Sequence, residues 1–196
     1  MCVTNWRLHL NKQTRKYGRS NYFSCARISA YLNKEIEAKE ILNWLISLDI
    51  VKSTPTDCVL SSTDGYAISN GAKLVMTGDS NLPFNLGANG FEISTCRQVF
   101  DTGQNGIEKL ICPNCKEDIS SEDWDFLSEC ADNKSNNLTC PLCKIATDIH
   151  SFQFTPIWGF SDLGFTFWNW SDLTEDFLND FKQKLSCEIN VVHTQI

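Results

Sequence analysis

The chain has 196 residues, 42% of them hydrophobic and 21% charged, and its formal net charge is −7. This composition is typical of a globular protein and argues against long disordered tracts. The sequence has no run of about 18 apolar residues, and its first residues lack the apolar core of a signal peptide. We therefore expect a cytoplasmic protein that is neither exported nor inserted in a membrane.

The charge is unevenly distributed along the chain. By block it is +4 for residues 1–60, −2 for 61–110, −5 for 111–150 and −4 for 151–196. Nucleic-acid binding requires clustered Lys and Arg, so the acidic second half disfavours it. Arg15, Lys16 and Arg19 form a basic stretch that could contact nucleic acid, although a solvated face is the simpler interpretation.

The first predicted element is a helix; residues 1–32 before it show no clear periodicity and stay unassigned. From Asn33, a plausible N-cap, to Asp49, apolar residues recur every three or four positions. Acidic residues occupy the first turns, which suits the positive end of a helix. The pattern predicts an amphipathic helix that Pro55 prevents from extending.

Between residues 57 and 100, short strands and turns are predicted. The Asn70-Gly71 pair favours a β-hairpin, because both residues tolerate the positive φ of a type I′ turn. Residues 81–91 read as a loop. The predicted strands are DCVLSS, YAISN, AKLVMTG and STCRQVF.

The C-terminal residues predict a β-α-β unit: a strand over residues 164–170, a helix over 174–185 capped by Thr174, and a closing strand from Glu188. The expected fold class is α+β, with a mixed sheet, amphipathic helices and an inserted cysteine module. The expected domains are an N-terminal part (1–108), the insertion (109–145) and a C-terminal part (146–196) that packs with the N-terminal one.

Four cysteines carry the clearest chemistry. They form Cys112-Pro-Asn-Cys115 and Cys140-Pro-Leu-Cys143, separated by 24 residues. Each CxxC turn can place two thiolates on one ion, and four thiolates fill the tetrahedral shell of Zn²⁺. A redox pair is the weaker alternative, because the motif is duplicated. Four cysteines leave no open coordination position, which predicts a structural zinc ion rather than a catalytic one.

The other six cysteines are scattered singly and are expected to be thiols, since no export signal indicates an oxidising compartment. They are Cys2, Cys25, Cys58, Cys96, Cys130 and Cys187.

The cysteine module resembles the zinc-ribbon family over about residues 109–145, through its four cysteines and through Pro113 and Pro141. The resemblance implies a metal-pinned pair of knuckles. It departs from the common ribbon at Lys116 and Lys144, where many ribbons have glycine. Cys130 is a possible competing ligand. The C-terminal segment resembles the ends of uncharacterised bacterial proteins, which implies no function.

The functional interpretation is non-enzymatic. The sequence contains no GxGxxG, GxxxxGK[ST], GxSxG or HExxH motif, and His9, His150 and His193 are scattered. An acidic surface is suited to a basic protein partner, because complementary charge accelerates association. The favoured hypothesis is an inhibitor-like immunity protein that neutralises a toxin such as a nuclease.

Two alternatives stay open: a zinc-ribbon adaptor or regulator of nucleic-acid machinery, and an enzyme without a recognisable motif. The residues predicted to contact a protein partner are Glu122, Asp123, Trp124, Asp125, Asp172, Glu175 and Asp176.

Overall fold

Two α-helices and twelve strands form the regular structure of a computed structural model that describes residues 19–25, 33–61, 63–78, 81–125, 127 and 135–195. The α+β class predicted from the sequence is confirmed. The elements are β1 Arg19–Cys25, α1 Lys34–Ser47, β2 Val51–Thr56, β3 Gly65–Ile68, β4 Gly90–Ser94, β5 Gln98–Phe100, β6 Lys109–Ile111, β7 Asn137–Thr139, β8 Ala146–Asp148, β9 Gln153–Thr155, β10 Gly159–Ser161, β11 Gly164–Trp168, α2 Glu175–Leu185 and β12 Ile189–Gln195.

The main sheet has six strands in the order β12-β1-β11-β4-β3-β2. Every pairing between these strands is antiparallel. The predicted mixed sheet is therefore wrong. The predicted terminal β-α-β unit is confirmed, because β11 and β12 run parallel to each other. They do not pair because β1 lies between them, and this insertion makes each neighbouring pair antiparallel.

One face of the main sheet is covered by both helices. Phe91 of β4 and Phe165 and Phe167 of β11 form its buried aromatic centre. The ring of Phe91 lies 5.9 Å from that of Phe165 and 5.0 Å from that of Phe167. The helices present apolar residues at a spacing of three to four, as predicted, and these are Ala38, Ile41 and Leu45 of α1 and Phe177, Phe181 and Leu185 of α2.

The helix ends largely follow the sequence signals. The Oγ1 of Thr174 accepts a hydrogen bond from the Phe177 N–H at 3.3 Å, so the predicted cap of α2 is confirmed. Asn33 occupies the N-cap position of α1, but its side chain makes no capping hydrogen bond. After α1, the chain turns at Asp49, whose φ of 54° lies in the left-handed region.

The predicted hairpin at Asn70-Gly71 is wrong. These residues begin a 3₁₀ helix, Asn70–Leu74, whose start packs against the end of α1. The Gly71 N–H donates to the Asp49 carbonyl at 2.9 Å, and a Cβ at position 71 would overlap the Leu48 carbonyl oxygen. Glycine is required here for close backbone approach and not for positive φ.

Other strands between residues 51 and 100 also differ from the prediction. The described residues 57–61 of the first run and residues 72–78 of the third form no strand, and β4 begins inside the predicted loop. The sequence signals missed β2 because it contains Pro55 and is exposed from Lys52 onward. Since β2 is the last described strand at its edge of the sheet, the missing N–H of proline is tolerated there.

The opposite face of the sheet is also covered. All five residues of β11 are buried, and a Cβ at Gly164 would overlap the ring of Phe100, which lies on this face. Trp168 packs there with Cys58, Val59 and Ala88. Strands β5 and β10 form a separate two-stranded sheet, and Phe160 of β10 packs in the core of the cysteine module. None of the described helices has the length and apolarity needed to cross a membrane.

Candidate metal centre

The two CxxC turns of the cysteine module share one backbone design. In each turn, the first cysteine donates its N–H to the carbonyl five residues later and accepts a hydrogen bond from the N–H four residues later. The four bonds are Cys112 N to Glu117 O at 3.1 Å, Lys116 N to Cys112 O at 3.0 Å, Cys140 N to Ile145 O at 3.1 Å and Lys144 N to Cys140 O at 3.0 Å. This repeated geometry defines two equivalent knuckles.

Each knuckle closes on a lysine in the left-handed region. Lys116 has φ 65° and Lys144 has φ 61°. Glycine adopts this conformation without steric cost, whereas a residue with a Cβ is destabilised there. The departure from glycine noted in the sequence therefore leaves the knuckle geometry intact but strained.

The four predicted ligand sulfurs are brought together. The Sγ atoms of Cys112, Cys115, Cys140 and Cys143 all lie within 4.8 Å of one another. The Sγ of Cys112 is 3.9 Å from that of Cys143, and the Sγ of Cys115 is 3.8 Å from that of Cys140. A tetrahedron of thiolates at about 2.3 Å from a central ion has sulfur–sulfur edges of about 3.8 Å. The donor set and its spacing therefore fit one tetrahedral metal ion.

The electrostatics of the thiols show why they require a cation. Burial opposes ionisation of Cys112, but backbone N–H groups of Cys115 and Asn114 outweigh it and lower the pKa of this thiol from 9.0 to about 7. The backbone of Glu117 favours the Cys115 thiolate, yet burial and the three neighbouring cysteines together raise the pKa of Cys115 to about 11. Once one thiolate forms, its neighbours resist ionising, and a bound cation reverses that preference.

Hydrogen bonds to sulfur and between the knuckles support the arrangement. The Asn114 N–H points to the Cys112 sulfur at 3.4 Å, and the Cys143 N–H to the Cys140 sulfur at 3.5 Å. The Asn114 side chain donates to Thr147 Oγ1 at 2.6 Å, which ties the first knuckle to the strand that follows the second. Sequence reasoning missed this contact because no local pattern connects residues 33 positions apart.

Asp118 organises the chain after the first knuckle. Its Oδ1 accepts the backbone N–H groups of Ser120 at 3.0 Å and Leu110 at 3.1 Å. These two bonds favour the carboxylate and hold the pKa of Asp118 below its ordinary value. In the sequence, Asp118 is only one of the negative charges of residues 111–150. In the structure, its carboxylate fixes the backbone of Leu110 and Ser120.

The cysteine module has its own apolar core, separate from that under the helices. Strands β6 and β9 pair, as do β7 and β8, and the buried residues between them include Leu110, Ile119, Leu138 and Ile149. Trp158 and Phe160, which follow β9, complete this core. The module therefore relies on residues beyond position 145.

His150 connects this module to β10. Its Nε2 donates to the Phe160 carbonyl at 2.7 Å, and its Nδ1 lies 2.7 Å from Asp148 Oδ1. The ring is nearly buried, with 9% of its side chain exposed. Both ring nitrogens are thus engaged within the fold, and neither is left for a metal.

The residues predicted to contact a partner lie in two segments of the fold. Residues 122–125 belong to the segment between the two knuckles. Trp124 is not an open surface aromatic, because its Nε1 donates to the Ser120 carbonyl at 3.0 Å and its ring meets Trp158 edge-on at 6.2 Å. Asp123 Oδ1 accepts the Asp125 N–H at 3.2 Å. The side chains of Trp124 and Asp123 therefore already make contacts within the fold.

The second predicted segment, residues 172–176, leads into α2. Asp172 lies 3.7 Å from His193 Nδ1, and both side chains are more than half exposed. Glu175 and Asp176 occupy the exposed first turn of α2. Neither of these two carboxylates has a hydrogen bond or ion pair with another side chain among the described residues.

The remaining cysteines are not uniform. Cys58 and Cys187 are free thiols, whereas Cys96 is disulfide-bonded, so the expectation of six thiols is wrong at Cys96. Cys2 and Cys130, together with Arg15 and Lys16, lie outside the described residues. The hypothesis that Cys130 competes for the metal stays a prediction.

A shallow open groove of about 420 Å³ lies on the helical side, lined by Trp44, Asp180, Gln183 and Lys184. The Lys184 ammonium lies 5.7 Å from the centroid of the Trp44 ring. The lining brings no nucleophile and base together, so the groove does not resemble a catalytic constellation.

Compared with known protein families, curated proteins and solved structures, the chain matches none.

Proposed function

We propose that this protein is a non-enzymatic, protein-binding inhibitor with one structural zinc ion, held by Cys112, Cys115, Cys140 and Cys143 in a zinc-ribbon module. The four sulfurs at tetrahedral spacing support the metal, and their number favours a closed, structural site. Zinc when bound supplies rigidity to the knuckles and no open coordination position. Within the proposal, the ion stabilises the module and takes no part in chemistry.

The partner in this proposal is a basic protein, and an immunity protein that neutralises a nuclease toxin is the specific form we favour. One observation carries it: in a chain of net charge −7, Glu175 and Asp176 are exposed, and neither has a cationic partner among the residues that the structure describes. Such carboxylates give a negative potential that attracts a basic surface and accelerates encounter. A toxin that binds nucleic acid carries a basic surface of this kind.

Affinity capture from cells, followed by mass spectrometry, identifies the partner. The kinetic test then compares wild-type protein with the variant D172N/E175Q/D176N. We expect its association rate constant to fall about tenfold at low salt, while the dissociation rate changes little, because rim charges act mainly on encounter. Raising the salt concentration should bring the two association rates together.

A matched control is available on the other helix. The variant E35Q/E37Q/E40Q removes the same number of negative charges near the start of α1, so it has the same net charge. We expect it to associate at nearly the wild-type rate. Equal slowing by both variants would indicate a general charge effect, and no slowing by either would contradict the proposed acidic interface.

The alternative of an adaptor or regulator of nucleic-acid machinery makes a different prediction. Binding would then depend on Arg15, Lys16 and Arg19, and its salt dependence would report counterion release. Replacing these three residues by Ala separates the two proposals, since only nucleic-acid binding should be lost. Captured partners that are all nucleic acids would support the alternative. An enzyme without a recognisable motif would instead show turnover with a captured small molecule.

A further inference from the structure

The two knuckles keep a lysine at the same strained position. Lys116 and Lys144 each follow the second cysteine of a knuckle, with φ of 65° and 61°. Both side chains are exposed, and neither makes an ion pair or hydrogen bond with another side chain in the described parts of the chain. A conformational cost that occurs twice without a compensating internal contact indicates a role for the side chains.

We infer that Lys116 and Lys144 balance the negative charge of the metal-loaded site and thereby slow the release of its ion; this rests on the zinc assignment proposed above. Four thiolates and one Zn²⁺ carry a net charge of −2. Residues 110–118 and 138–146 contain no other cation, while Glu117 and Asp118 add negative charge beside the first knuckle. The two lysines are therefore the positive charges closest in sequence to the four ligands.

Loading the site changes its charge. Zinc binding displaces protons from the cysteines and creates the dianionic centre. An ammonium group on the residue next to a ligand favours the charged, loaded state over the less charged empty one, since opposite charges attract. The effect should act on metal retention more than on the apolar core of the module.

The backbone N–H groups that point to sulfur compensate only part of the negative charge of the loaded site. The Asn114 and Cys143 N–H groups point to sulfurs at 3.4 and 3.5 Å, and each contributes a partial charge. Those sulfurs belong to Cys112 and Cys140, which are fully buried, whereas Cys115 and Cys143 are partly exposed. The lysines follow the partly exposed pair, which is the side from which solvent would reach a bound ion.

The test measures zinc release into an excess of a chromophoric chelator from zinc-loaded K116Q, K144Q and the double variant. Glutamine keeps an unbranched polar side chain and the strained backbone but removes the charge. We expect each single variant to lose zinc about two to five times faster than the wild type, the range of an exposed ion pair, and the double variant to combine both effects. Added salt should accelerate release from the wild type more than from the double variant.

K39Q is the matched control, because Lys39 is exposed on α1 and its loss changes the net charge equally. It should release zinc at the wild-type rate, and K116R, which keeps the charge, should restore retention. Circular dichroism of the loaded variants checks folding. Release from the double variant at the rate of K39Q would overturn the lysine inference while leaving the zinc assignment intact. Wild-type protein without bound zinc would overturn both.

Discussion

Replacing Lys116 or Lys144 by glycine tests whether the positive φ of each knuckle carries a conformational cost. A residue with a Cβ loses about 1 kcal/mol in the left-handed region, and glycine avoids this loss. Glycine also makes the unfolded chain more flexible and loses more conformational entropy on folding. This loss reduces the gain in folding free energy by about 0.5 kcal/mol. The reference is the glutamine variant, because Gly and Gln both remove the charge. We expect each Gly variant to be more stable than its Gln counterpart by about 0.5 kcal/mol.

Thermal unfolding of zinc-saturated protein is the assay. For a chain of this size, about 1 kcal/mol shifts the Tm by roughly 2–4 °C, so the two glycines together should raise it by that amount over the double Gln variant. Lys109 provides the control, because it lies in strand β6, where glycine weakens the structure. K109G should melt below K109Q. The same sign at positions 109 and 116, or no gain at either knuckle, would refute the conformational explanation.

Three further predictions concern the two cores and Asp118. Phe91→Ala removes a fully buried ring and should destabilise the protein by about 3–5 kcal/mol, measured by the denaturant midpoint at an unchanged m-value; a loss below 1 kcal/mol would contradict the described core. Asp118→Ala should destabilise the protein at neutral pH. Because the folded pKa of Asp118 is lowered, its stabilisation is complete above its ordinary pKa of 3.8 and is lost as pH falls through the lower folded pKa, so melts of the two proteins should converge in acid. Chelator treatment should alter the fluorescence of Trp124 and Trp158 in the module core while far-ultraviolet circular dichroism retains the helical signal; simultaneous loss of both signals would indicate one cooperative core.

The elements that could be predicted from the sequence are those whose signal is local. The spacing of Phe177, Phe181 and Leu185 and the cap at Thr174 determine α2, because both act within a few residues. The cysteine ligands are equally local, since each CxxC turn places two sulfurs by itself. The contact between the two knuckles is the non-local part of the site. The duplicated motif predicts this contact, because one tetrahedral ion needs the sulfurs of both turns.

The elements that could not be predicted depend on partners distant in sequence. Strand β1 pairs with β11 and β12, more than 130 positions away, and no local pattern places it between them. The 3₁₀ helix at Asn70 replaces the predicted hairpin because Gly71 meets the backbone of Leu48. A local turn signal cannot distinguish a glycine needed for positive φ from one needed for close approach.

Local sequence patterns are equally unable to choose among the acidic residues predicted to contact a partner. The structure shows which of these carboxylates already make hydrogen bonds within the fold. Charge counting treats all carboxylates of the second half alike, yet Asp118 binds two backbone N–H groups and Asp123 accepts one. Those acids already stabilise the fold, so a partner that displaced their hydrogen bonds would have to replace them. Among the described residues, Glu175 and Asp176 have no such contacts, and they stabilise the N-terminus of α2 through the helix dipole. The proposed basic partner would therefore meet its lowest desolvation cost at the start of α2, which is why the variant D172N/E175Q/D176N tests the proposed interface more directly than changes in residues 122–125.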